Sequence, residues 1–109
     1  MPADAPGQPE VLAAQPKPRT TPLWNVILLD DDDHTYEYVI EMLGKIFGHV
    51  HEKAYQMACE VDSTGRVIVD TTVLERAEFK QLQIHAYGPD PRLPLSRGSM
   101  KASLEPAEA

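Results

Sequence analysis

The chain has 109 residues, a net charge of −7, a pI near 4.9 and one cysteine. An acidic balance with no Lys/Arg cluster is the opposite of what a nucleic-acid-binding face needs. The lone Cys59 excludes an internal disulfide and fits a reducing cytoplasm, where the protein is expected.

Residues 1–22 hold six of the ten prolines (Pro2, Pro6, Pro9, Pro16, Pro18 and Pro22) with Ala and polar residues between them. No apolar periodicity survives there, so a disordered tail is expected. No apolar stretch lies between Met1 and Pro22, so neither a secretory signal nor a membrane span is expected in it. Residues 23–106 are left as one folded domain, large enough for a modest core. A strand is expected at 24–29, where Val26, Ile27, Leu28 and Leu29 form an apolar run that stops at Asp30, Asp31, Asp32 and Asp33. A helix over 35–47 follows from Tyr36, Val39, Ile40, Leu43 and Phe47 at i, i+3, i+4, i+7 and i+11. Asp33 or Thr35 is placed to cap it, Glu41 and Lys45 form an i, i+4 pair, and Gly48 ends it. A second helix over 50–61 carries Ala54, Met57, Ala58 and Val61 on one face, with Cys59 as a small buried side chain. Asp62, Ser63, Thr64 and Gly65 read as a turn. The β-branched run 66–70 is a second strand. Thr71 or Thr72 caps a third helix reaching about Tyr87, broken by Gly88, Pro89, Asp90 and Pro91. A last strand lies near 100–104. The fold class is therefore α/β of the α+β kind: a small three-stranded sheet packed against three helices in the order βααβαβ.

The chemistry concentrates where the first strand runs into four carboxylates beside a helix N-terminus. One reading is plain helix capping and a soluble edge. Successive side chains of an extended segment point to opposite faces, so all four cannot converge on one ligand. A second reading is a metal or phospho-acceptor module, with Asp70 as acceptor and Thr71, Thr72 and Lys80 as helpers. It is disfavoured because a receiver domain needs five alternating βα units and because calcium-loop spacing is absent. A third reading is capture of an ammonium group. There is no Gly-rich phosphate loop, no nucleophile elbow, and no Ser or Cys placed beside a His. No enzymatic activity, cofactor or metal is expected.

The series Val26-Ile27-Leu28-Leu29-Asp30-Asp31-Asp32, then Glu37-Tyr38-Val39-Ile40-Glu41-Met42-Leu43, resembles the ClpS family, whose usual text is V-I-L-x-N-D-D-x-T-x-M-E-F-V. The likeness continues through Ala54-Tyr55-Gln56-Met57-Ala58, Val61, Gly65-Arg66, Glu75-Arg76-Ala77-Glu78, Lys80, Tyr87 and Pro94-Leu95. These proteins are adaptors that bring substrates with destabilising N-terminal residues to an AAA+ Clp protease. The resemblance implies a pocket in which Asp30, Asp31, His34 and Asp62 hold the substrate's α-amino group. Tyr36, Val39, Ala58, Val61 and Leu95 would receive its first, bulky apolar side chain. It also implies that Glu75 and Lys80 on the third helix contact the N-terminal domain of a Clp ATPase. A monomer is expected, with no nucleic-acid or membrane partner. The alternative is a divergent relative that contacts the ATPase without binding N-termini. Four positions depart from the family pattern: Asp30 replaces Asn, His34 replaces Thr, Asp62 replaces His, and Ala58 replaces a Met at the pocket gate. Tyr36, larger than the family's usual Met, is the residue placed to fill the space that Ala58 leaves. If its hydroxyl holds it at the rim instead, a relaxed side-chain preference follows.

Overall fold

The computed structural model describes residues 21–108, so the expected tail lies almost wholly outside the described residues. Six elements follow in the order β1 (Leu23–Leu29), α1 (Tyr36–Phe47), α2 (His51–Thr64), β2 (Arg66–Val73), α3 (Leu74–His85) and β3 (Lys101–Pro106). The fold is the expected one, three helices on a three-stranded sheet. The strand order is β2-β1-β3, and β1 pairs antiparallel on both sides. Its Val26, Ile27 and Leu28 are fully buried, which accounts for the apolar run at the centre of the sheet. An antiparallel sheet also removes the receiver-like reading, because that fold is built on parallel strands.

Thr35 caps α1: its backbone is extended and its hydroxyl accepts from the Tyr38 amide at 3.2 Å. Gly48 ends the helix with φ of 74°, a conformation that a side chain would strain. The stripe that α1 buries is Tyr38, Val39, Met42, Leu43 and Ile46. This is rotated from the expected one, because Tyr36 sits at the edge of the helix and Ile40 and Phe47 are only half-buried. Glu41 pairs not with Lys45 but with Arg92 at 2.6 Å, reaching across to the loop after α3.

Two boundaries differ from expectation for local reasons. The segment from Asp62 to Thr64 is the last turn of α2, not a separate turn. The Thr64 hydroxyl donates back to the Glu60 carbonyl at 2.8 Å, and Gly65, at φ of 90°, closes the helix. Strand β2 runs on through Thr71 and Thr72 to Val73, and Val73, not a threonine, precedes α3. The Thr71 hydroxyl is spent on Asn25 Oδ1 across the sheet at 2.6 Å, so it caps nothing. Within β2 the register slips beside Val26, and the Val69 carbonyl there accepts from His49 Nε2 at 2.7 Å.

α3 packs across all three strands and against α1. Lys80 is almost fully buried in that junction: its ammonium donates to the Ile46 carbonyl at 2.6 Å and lies 5.5 Å from the centre of the Phe47 ring. Buried Lys is tolerated when its donors are met, here by a carbonyl at the end of α1 and an aromatic face.

Candidate functional site

The short link between β1 and α1 is held from behind by Asp90, in the loop after α3. Its side chain is completely buried. One carboxylate oxygen accepts from the Thr35 amide and hydroxyl, both at 2.7 Å. The other accepts from the Arg92 amide at 3.0 Å and its guanidinium at 3.2 Å. Burial alone would raise the Asp90 carboxyl, but the hydrogen bonds from Arg92 and Thr35 outweigh it and hold it down at about 2. The same loop is tied twice more to this corner. Tyr38 Oη donates to the Gly88 carbonyl at 2.5 Å, and His34 Nε2 donates to the Gly98 carbonyl at 2.6 Å. Burial of the Tyr38 ring lifts its phenol above the ordinary range.

These ties fix the residues on either side of Thr35, and both of them reach a cleft between α1 and α2. A cavity of about 40 Å³ opens there, lined by Asp30, Asp31, His34, Thr35, Tyr36, Val39, Ala58, Val61, Asp62 and Met100. The expected polar set, Asp30, Asp31, His34 and Asp62, thus meets at one mouth. Val39, Ala58 and Val61 form the buried interior, at 4%, 1% and 2% exposure. The meeting has a local cause: the Asp30 amide donates to the Gly65 carbonyl at 3.0 Å, which pins the end of β1 to the end of α2. Leu95 does not join this set; it stands 81% exposed. Met100, just before β3, takes a place in the lining that the sequence did not suggest.

The mouth is already hydrogen-bonded within itself. Asp31 Oδ1 meets His34 Nδ1 at 2.7 Å and accepts the Asp33 amide at 3.0 Å. The His34 side chain is nearly buried, its ring centre 4.4 Å from that of Tyr38 and tilted against it. Tyr36, read as part of the apolar wall, brings its hydroxyl to the polar mouth and donates to Asp62 Oδ2 at 2.6 Å. That bond, more than desolvation, raises the Tyr36 phenol well above its usual value. Cys59 is half-buried beside Tyr36 and Tyr55, not enclosed in the core. Among the described residues no three His, Cys, Asp or Glu side chains are grouped as a metal set, and no helix is long and apolar enough to cross a membrane.

Of the two positions read on α3, Lys80 faces inward as described, while Glu75 borders an open groove of about 500 Å³ with Val73, Arg76, Glu78, Phe79 and Leu82. Phe79 and Leu82 are 57% and 66% exposed.

Fold and site together define a small α+β domain. It has a carboxylate-rimmed cleft at one end and an apolar helix face elsewhere. A family model described as "ATP-dependent Clp protease adaptor protein ClpS" matches residues 19–97. The ATP-dependent Clp protease adapter protein ClpS of Methylococcus capsulatus is 35% identical over 82 residues, 75% of this chain and 77% of the relative. That of Roseobacter denitrificans is 35% identical over 72 residues, 66% of this chain and 64% of the relative. The chain thus spans slightly under two thirds of the Roseobacter protein. The structure of Agrobacterium tumefaciens ClpS2 bound to L-phenylalaninamide shares the fold at a TM-score of 0.69 and 22% identity, covering 81% of this chain and all of that one. The chain belongs to the ClpS family, a family of Clp protease adaptors and not of proteases.

Proposed function

We propose that this protein is an adaptor that binds substrates through a free N-terminal residue and delivers them to a Clp AAA+ ATPase in the cytoplasm. The observation that carries the reading is the convergence of Asp30, Asp31, His34 and Asp62 over an interior of Val39, Ala58 and Val61. An α-amino group has a reference pKa of about 7.7–8.0 and is mostly cationic at neutral pH. Carboxylates at the mouth favour it through charge-assisted hydrogen bonds. The apolar interior behind them suits a bulky hydrophobic first side chain. L-Phenylalaninamide, the compound bound by the Agrobacterium relative, carries both features. Delivery uses α3, where Glu75 borders the groove at Phe79 and Leu82. Lys80 serves that surface by holding the helix against α1.

The experiment is calorimetry with a Leu-led peptide, free and N-acetylated. Acetylation removes the cation and its donors, and the free peptide should bind at least about tenfold more tightly, ~1.4 kcal/mol. Equal affinities would sink the reading. The small cavity volume favours one alternative, a regulator that contacts the ATPase without holding N-termini. In that case neither peptide binds while the ATPase still does.

A further inference from the structure

We propose that the Tyr36 hydroxyl and the Asp62 carboxylate form a latch across the mouth of the cleft, which an incoming ammonium group opens by taking Asp62 for itself. The inference rests on the N-terminus-binding reading and adds how access to that site is controlled.

Three observations carry it. The first is reach: Tyr36 begins α1 and Asp62 lies in the last turn of α2, so their 2.6 Å bond spans the two walls. The second is volume. The space behind the bond is about 40 Å³, far below the ~150 Å³ of a cavity that admits a benzene ring. A bulky side chain therefore enters only after the Tyr36 ring has moved. The third is the state of the competing carboxylates. Asp31 is held by His34 and by the Asp33 amide, while the Asp30 carboxylate, whose backbone amide is tied to Gly65, makes no side-chain hydrogen bond among the described residues and stands ready to share the incoming ammonium group. Among the described residues the Asp62 carboxylate is bound only to a neutral hydroxyl, on a ring at the protein surface. A phenol donor is replaceable by an ammonium donor, which makes the stronger, doubly charged hydrogen bond to the same oxygen. Tyr55, whose ring centre lies 6.0 Å from that of Tyr36, offers a surface along which the displaced ring can move.

The latch predicts that removing the hydroxyl improves binding. Tyr36→Phe keeps the ring and frees Asp62, so a free Leu-led peptide should bind about three- to tenfold more tightly than to the parent. In an Asp62→Asn background the same substitution should have no effect. Weaker or unchanged binding by Tyr36→Phe would overturn the proposal, since the hydroxyl would then contact the ligand or nothing. The bond itself is read without any ligand, from the ring-carbon NMR titration of labelled tyrosines. The Tyr36 signal should ionise above that of free tyrosine and return toward the ordinary range in Asp62→Asn. A Tyr36 titration that Asp62→Asn leaves as it is in the parent would show that the bond does not form in solution and would overturn the latch. A parent that shows the Tyr36 shift but binds free and acetylated peptides equally would instead discard the N-terminus reading, and the gate with it.

Discussion

The cleft between α1 and α2 and the outer face of α3 are both exposed, yet they are built in opposite ways. In the cleft nearly every polar group already has a short partner, and the space is measured in tens of cubic ångströms. On α3 the volume is more than tenfold larger, the lining includes the exposed Phe79 and Leu82, and no ion pair involves Glu75, Arg76 or Glu78 among the described residues. A crowded, pre-bonded cleft discriminates one chemical group, because only a better donor displaces what is there. A broad apolar face discriminates a shape, because its gain comes from area covered. The proposed adaptor role would use the first to hold a small feature of one molecule and the second to meet a surface of another.

The strongest way to break this contrast is to remove the support behind the cleft. Asp90→Ala leaves the Thr35 amide and hydroxyl and the Arg92 guanidinium without their acceptor. We expect a loss of about 2–3 kcal/mol in urea unfolding, together with weakened peptide binding. Stability unchanged by this substitution would mean that the buried carboxylate is not holding the corner. The same group sets an acid response. Its carboxyl is depressed in the folded chain to about 2, below the ~3.9 of an unfolded Asp. Its stabilisation is therefore fully present above about pH 4 and is lost as the pH falls toward and through 2. Roughly 2–3 kcal/mol should disappear over that window. Asp90→Asn should remove this part of the acid dependence.

The second test acts on α3 alone. Phe79→Ser exposes no core and should change stability by less than about 0.5 kcal/mol. Affinity for the N-terminal domain of a Clp ATPase should fall about tenfold, ~1.4 kcal/mol, while peptide binding is untouched. A variant that keeps full ATPase affinity would place the contact elsewhere. The smallest effect is expected inside the cleft. Ala58→Met restores bulk at a wall position that is 1% exposed. It should disfavour Ile- and Val-led peptides against Leu-led ones by roughly 1 kcal/mol, within the range for one methylene in an apolar pocket. Identical peptide profiles for variant and parent would remove Ala58 from the side-chain site.

The sequence made local features legible and concealed what depends on distant partners. The β1 run, the Thr35 cap and the Gly48 stop each act within a few residues, and each can be read in place. The end of α2 is misleading because Asp62, Ser63, Thr64 and Gly65 have turn composition, yet Thr64 satisfies its own hydroxyl on Glu60 and stays helical. The start of α3 misleads for a different reason: the threonine that looks like a cap is claimed by Asn25, 46 residues away. Within the cleft, the polar residues converge where the family pattern implies. The Tyr36 hydroxyl turns away from the apolar role suggested by position, because a nearby carboxylate outcompetes the interior for it. Asp90 sits between two prolines and reads only as part of a helix breaker. Nothing local announces that its carboxylate is buried. Lys80, read as a contact on the face of the third helix, likewise gives no local sign that its ammonium is buried on the Ile46 carbonyl.

The bond from the Thr35 amide to Asp90 joins residues 55 apart in the chain. A contact of that sequence separation is made by the tertiary structure and not by local helix formation. The N-cap of α1 thus has an amide that local helix formation cannot protect. Its solvent exchange should track lifting of the whole 88–100 segment, while the Val39 amide, bonded to the Thr35 carbonyl at 3.2 Å, reports fraying of the helix itself. Comparing those two exchange rates would show whether the recognition corner opens by itself or only when the domain unfolds.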